Sequence, residues 1–145
     1  MDTYATLNEV LVNLFRDIMD IEQKAIITEE FKDITNNDMH VIEAIGIGEP
    51  KNMSTIAKEL SVTVGTLTIA MNSLVKKGYV HRERGKEDRR VVYISLSERG
   101  KAAYEHHARF HKAMIESVSE HLSPEELELL VRTLTKLNRW FRDWQ

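Results

Sequence analysis

Residues 52–78, NMSTIAKELSVTVGTLTIAMNSLVKKG, decide how the chain folds. Asn52 can cap a helix over 53–60, and Thr63 can cap a second over 64–77, because their side-chain oxygens accept the orphan N–H groups of a first turn. Gly78 ends the second helix. Only Ser61-Val62-Thr63 separates the two, so they read as a helix-turn-helix. Leu67, Met71 and Leu74 share one stripe and belong to the core, with the small Ala57 at the helix crossing. Thr66, Thr68, Ile69 and Asn72 are left facing outward. A helix of this size fits a DNA major groove. Thr can bond phosphate or touch a thymine methyl, and Asn can read adenine. Gly65 and Thr63 stand at the helix start, where N–H groups favour phosphate.

Working outward, Tyr79–Arg84 and Arg90–Leu96 are rich in β-formers and flank the polar loop Gly85-Lys86-Glu87-Asp88. A hairpin directly after a helix-turn-helix is a wing. Arg82, Arg84, Lys86, Arg89 and Arg90 crowd it, and arginines inserted in a narrow minor groove exploit the negative potential there. Lys76 adds charge at the end of the reading helix. Asp88 stands out among these cations, and a carboxylate paired to Arg90 would hold the hairpin tip.

Amphipathic helices lie on both sides. Residues 4–27 repeat Leu7, Val10, Leu11, Leu14, Phe15 and Ile18 at helical spacing, and 37–45 continues through Met39, Val41, Ile42 and Ile45. Ser97 can cap a helix over 98–121. Ser123-Pro124-Glu125-Glu126 opens another with a capping-box signature. The fold class expected is mainly α with a small β-wing: a winged helix-turn-helix of six helices plus a β-hairpin. Residues 37–97 form its DNA-binding lobe, and 1–36 with 98–145 form a helical dimerisation region. The terminal helices carry more apolar surface than one chain covers, which points to a homodimer.

The totals are compatible with this. The net charge of −3 argues mildly against a nucleic-acid ligand, but residues 72–101 hold nine bases against four acids. That local excess of +5 leaves −8 on the rest, so a basic patch sits on an acidic body. Cys is absent, which removes disulfides, thiol nucleophiles and cysteine metal sites. No signal peptide or 18-residue apolar run is visible, and a cytoplasmic location is expected. No G-x-S-x-G, P-loop or G-x-G-x-x-G motif occurs, so no enzyme and no cofactor are expected.

Segment 52–100, with Asp88 and Arg90 as a D-x-R element followed by Leu96-Ser97 and Gly100, resembles the MarR family of transcriptional regulators. The resemblance extends over essentially the whole chain. It implies a repressor that binds a pseudo-palindromic duplex operator. VTVGTLTIAMNSL and ARFHKAM are similar to the family's repressors of fatty-acid synthesis genes. That likeness implies long-chain acyl-acyl carrier protein as co-repressor, and an apolar crevice for the acyl chain. Candidates for its lining are Ile18, Ile21, Ile26, Phe31, Met39, Ile42, Phe110 and Met114. Arg109 and Lys112, at i and i+3, can face the acidic carrier protein. Two alternatives stay open. His107 and His111, at i and i+4, with His40 nearby, suit a zinc sensor. Other family members respond to small aromatic ligands.

Overall fold

The computed structural model describes residues 2–28 and 30–144. Two compact units divide it: one up to Ala108 and one from Arg109 onward. The first contains α1 (Thr3–Ile26), α2 (Asn36–Ile45), β1 (Lys51–Asn52), α3 (Met53–Leu60), α4 (Val64–Lys77), β2 (Val80–Arg84) and β3 (Val92–Leu96). Helix α5 (Glu98–His121) begins there and continues into the second unit, which also holds α6 (Pro124–Trp144).

Local chemistry sets the helix ends. The Asn52 side chain accepts from Thr55 N, and Thr63 Oγ1 accepts from Thr66 N at 3.1 Å. Thr35 and Asp38 form a reciprocal capping box on α2 that the S/T-x-x-E/Q pattern does not anticipate, because its third position is Asp. Ser123 and Glu126 form the expected box on α6, and this bonding holds the Glu126 carboxyl below its ordinary range. Ser61 closes α3 in the left-handed region, at φ 56°, a conformation that costs a non-glycine residue about 1–2 kcal/mol.

The core of the first unit gathers α2, α3, α4 and the sheet around Ile42, Ile56, Leu67, Met71, Leu74, Tyr79 and Ile94, all at most 1% exposed. Each buried aliphatic chain of this size contributes roughly 1.5–3 kcal/mol. The expected stripe Leu67, Met71, Leu74 is the buried face of α4.

The sheet has three antiparallel strands in the order β1-β3-β2. The expected hairpin is present, with Arg84 opposite Val92 and Val80 opposite Leu96. Strand β1, absent from the sequence reading, adds Lys51 and Asn52 opposite Ile94 and Tyr93. Two residues after Pro50 leave no period to detect, and their strand character comes from β3. The hairpin strands are shorter than expected. Tyr79 N bonds Leu74 O in the closing turn of α4, and the Asp88–Arg90 turn keeps Arg90 out of β3. At Gly100 a Cβ would lie 2.1 Å from the Tyr79 carbonyl oxygen, so only glycine lets α5 start against this turn.

In the second unit, α6 has no buried residue, and Leu130, Leu134, Leu137, Trp140, Phe141 and Trp144 stand exposed. In the first unit, α1 exposes Leu7, Val10, Leu14 and Phe15. No helix among the described residues is long and apolar enough to cross a membrane.

Candidate nucleic-acid interface

Helix α4 presents Thr66, Ile69 and Asn72 on its outer side, with Ile69 75% exposed. Thr68 is half-buried, and its hydroxyl donates to Val64 O at 2.8 Å. The Thr63 hydroxyl takes the N–H of Thr66 and donates to its Oγ1 at 3.0 Å. Two threonines are thereby fixed at the helix N-terminus, where the helix dipole favours phosphate. Gly65 has no neighbour closer than 3.9 Å to the place of a Cβ, so that edge of the helix is open to a backbone.

The wing is stiffened from within. Arg90 Nε and Nη2 grip both Asp88 oxygens at 3.1 and 3.0 Å, and the Arg90 N–H donates to Oδ1 at 3.0 Å. These bonds hold the Asp88 carboxyl below its ordinary range and push the Arg90 guanidinium further up. Gly85 N bonds Val91 O, and Arg84 Nη1 reaches Arg89 O at 3.4 Å. Arg82, Arg84, Lys86, Arg89 and Arg90 are all exposed, as is Lys76 on α4. A cleft of about 440 Å³ between α4 and the wing brings Thr68, Arg82 and Arg90 together with Asn52 and Ser54 at the start of α3. Ser54 was not among the sequence candidates. It stands on the helix preceding the reading helix, where only the folded arrangement shows that it faces the cleft.

Two cations of the basic segment are committed elsewhere. Lys77 pairs with buried Asp38 at 2.7 Å and donates to Asp33 O. Arg99 pairs with Asp33 at 3.3 Å, donates to Lys77 O, and lies 4.4 Å over the Tyr79 ring. The Tyr79 hydroxyl donates to Asp33 at 2.5 Å. That bond leads in lowering the Asp33 carboxyl, and burial leads in raising the phenol. This hub fastens the segment before α2 to the end of the reading helix and the start of α5.

Away from the wing, His107 is 2% exposed, and its Nε2 lies 2.6 Å from Glu43 on α2 and 3.2 Å from Glu22 on α1. His40 is expected from its sequence position to approach this group. His40 is instead exposed in a groove with Asn37, Glu59 and Val62, and the group around His107 is built with Glu22 and Glu43. Of the acyl-crevice candidates, Ile26, Phe31, Met39 and Ile42 are core, none more than 2% exposed, whereas Ile18 and Ile21 are exposed on α1. In the second unit Phe110, His111 and Met114 are half-buried, Arg109 is exposed, and Lys112 lies 4.0 Å from Glu116.

Comparison with known proteins places this geometry. The MarR family model matches residues 34–92. The chain is 38% identical to Streptococcus pneumoniae FabT, seen in a crystal structure in complex with DNA, with a TM-score of 0.91 over 98% of this chain and 99% of that one. It is 28% identical over 142 residues to the HTH-type transcriptional repressor YetL of Bacillus subtilis (strain 168), covering 94% of this chain and 85% of YetL. The match to the HTH-type regulator YwhA of the same organism is 34% over 82 residues, 57% of this chain and 59% of YwhA, so it spans under two thirds of that relative.

Proposed function

Because the chain belongs to the MarR family of DNA-binding transcriptional regulators, we propose that it represses fatty-acid synthesis genes as a homodimer, with long-chain acyl-acyl carrier protein as co-repressor. The carrying observation is the full-length likeness to FabT, joined to a cleft where Thr68 of the reading helix meets Arg82 and Arg90 of the wing. In this reading residues 37–97 contact DNA, and 1–36 with 98–145 pair two copies. The exposed apolar faces of α1 and α6 are what a second copy covers. Two-fold symmetry then sets the reading helices one DNA turn, about 34 Å, apart on a near-palindromic operator.

Ile26, Phe31, Met39 and Ile42 are closed into the core, so an acyl chain enters only by displacing them. Such an entry would move α1 against α2, whose Asp38 holds Lys77 at the end of the reading helix. Ligand binding would thereby bias the DNA-binding geometry, as linkage requires. Arg109 and Lys112 supply the cations for an acidic carrier protein.

A second reading has its own observation. His107 Nε2 and carboxylate oxygens of Glu22 and Glu43 lie within 4.8 Å of one another. This nitrogen-and-oxygen donor set suits Zn²⁺, which would tie α1, α2 and α5 together. One gel-shift series separates the readings. The protein is titrated onto its own promoter and onto a fatty-acid-synthesis promoter with apo carrier protein, long-chain acyl carrier protein, or zinc with and without chelator. Tighter binding with the acyl form alone is expected. Zinc dependence abolished by chelator would replace the acyl reading with the metal one.

A further inference from the structure

Arg82 was expected to meet DNA directly, and the structure gives it a nearer partner. From β2 its Nη1 donates to Oδ1 of Asn72 on α4 at 2.6 Å. The contact fixes which way round the carboxamide stands. A guanidinium has donors and no acceptor, so the side of the amide that faces it must be the oxygen. The bond is charge-assisted, and such bonds are roughly twice as strong as neutral ones. Asn72 is exposed one turn beyond Ile69, on the face that enters the groove. With its oxygen held back toward the wing, the amide offers DNA its NH₂ group.

We propose that Arg82 is a positioning residue for base reading: it orients Asn72 so that the amide acts as a hydrogen-bond donor to an acceptor on a purine edge. This modifies the adenine contact expected from the sequence, which uses amide oxygen and nitrogen together. The wing thereby sets the specificity of the reading helix as well as adding charge. The proposal rests on the DNA-binding reading of α4 and the wing.

Two properties distinguish positioning from a phosphate contact. A cation on a phosphate weakens all sequences alike when removed, and lowers the salt slope by about one unit. A positioning residue changes base preference at one place and leaves the salt slope alone. The test is the operator-preference profile and salt dependence of the full-length protein, Asn72→Ala, Arg82→Ala, Arg82→Lys and the double alanine variant. All these positions are exposed, and circular dichroism confirms that each variant is folded. The expected result is that Asn72→Ala and Arg82→Ala lose preference at the same base pair of each half-site, by roughly tenfold. The double variant loses no more than either single one, and Arg82→Lys restores part of the preference. Replacing the purine there by its 7-deaza analogue should weaken the wild type, whereas removing an adenine 6-amino group should not. A uniform weakening by Arg82→Ala with a shallower salt slope would overturn the proposal, as would sensitivity to loss of the 6-amino group. A wild-type protein with no base preference would instead refute the DNA-binding reading beneath it.

Discussion

The DNA-facing surface and the polar cluster around buried His107 satisfy their hydrogen-bonding groups at different ranges. On the DNA-facing surface, polar groups find partners within ten residues of sequence: Thr63 with Thr66, Asp88 with Arg90, Arg82 with Asn72. Around His107 the partners come from α1 and α2, and the Tyr79 hub reaches back to Asp33. The first arrangement leaves charged side chains in water and ready for phosphate. The second gathers half-exposed acids around a buried ring and ties distant segments together. Substitutions should therefore fail differently: in affinity at the DNA-facing surface, and in stability at the His107 cluster and the hub.

The largest effect is expected at His107. His107→Ala removes a ring that is 2% exposed, with its contacts to half-buried Glu22 and exposed Glu43, and should cost about 3 kcal/mol of stability in denaturant melts. A variant as stable as wild type would erase the contrast. Next comes Arg84→Ala on the exposed wing, which should weaken operator binding by about 1–3 kcal/mol with an unchanged melting temperature. A fall in stability of the same size would show the wing to be structural.

A smaller effect belongs to the hub. Tyr79→Phe removes one part-buried hydrogen bond and should cost about 1 kcal/mol. Its pH dependence has a definite sign. The folded-state Asp33 carboxyl lies below its unfolded value, first through the Tyr79 hydroxyl. Its contribution is complete above the unfolded value of about 3.9 and disappears as pH falls through the folded one. The stability gap between wild type and Tyr79→Phe should therefore shrink on acidification below about pH 4. The phenol is displaced the other way, so its contribution holds below about pH 10 and is lost as pH rises through the folded value. Smallest is Ser61→Gly, which relieves a left-handed serine and should stabilise by up to about 1 kcal/mol without altering DNA affinity.

The same difference in range explains what could be read from the sequence. The caps at Asn52, Thr63 and Ser123, the turn at Ser61–Thr63, the buried stripe of α4 and the Asp88–Arg90 pair are signals within a few residues, and each lies where the pattern puts it. Strand β1 is too short to carry a period, and exists through its partner. The contacts of Glu22 and Glu43 with His107 are long-range, and nothing near either acid in sequence announces a histidine on α5. Lys77 and Arg99 counted toward the basic patch until the fold paired them with Asp38 and Asp33. Arg82 and Asn72 were both legible as interface residues, while the bond between them needed β2 laid beside α4.

The most direct test of the central claim, that α4 and the wing form a sequence-reading DNA surface, is equilibrium binding to operator and scrambled duplexes across a salt series. Affinity is expected to fall steeply and linearly on a log–log salt plot, with the operator favoured by at least about 10³ over the scrambled duplex. Equal affinity for both duplexes, or binding indifferent to salt, would contradict it.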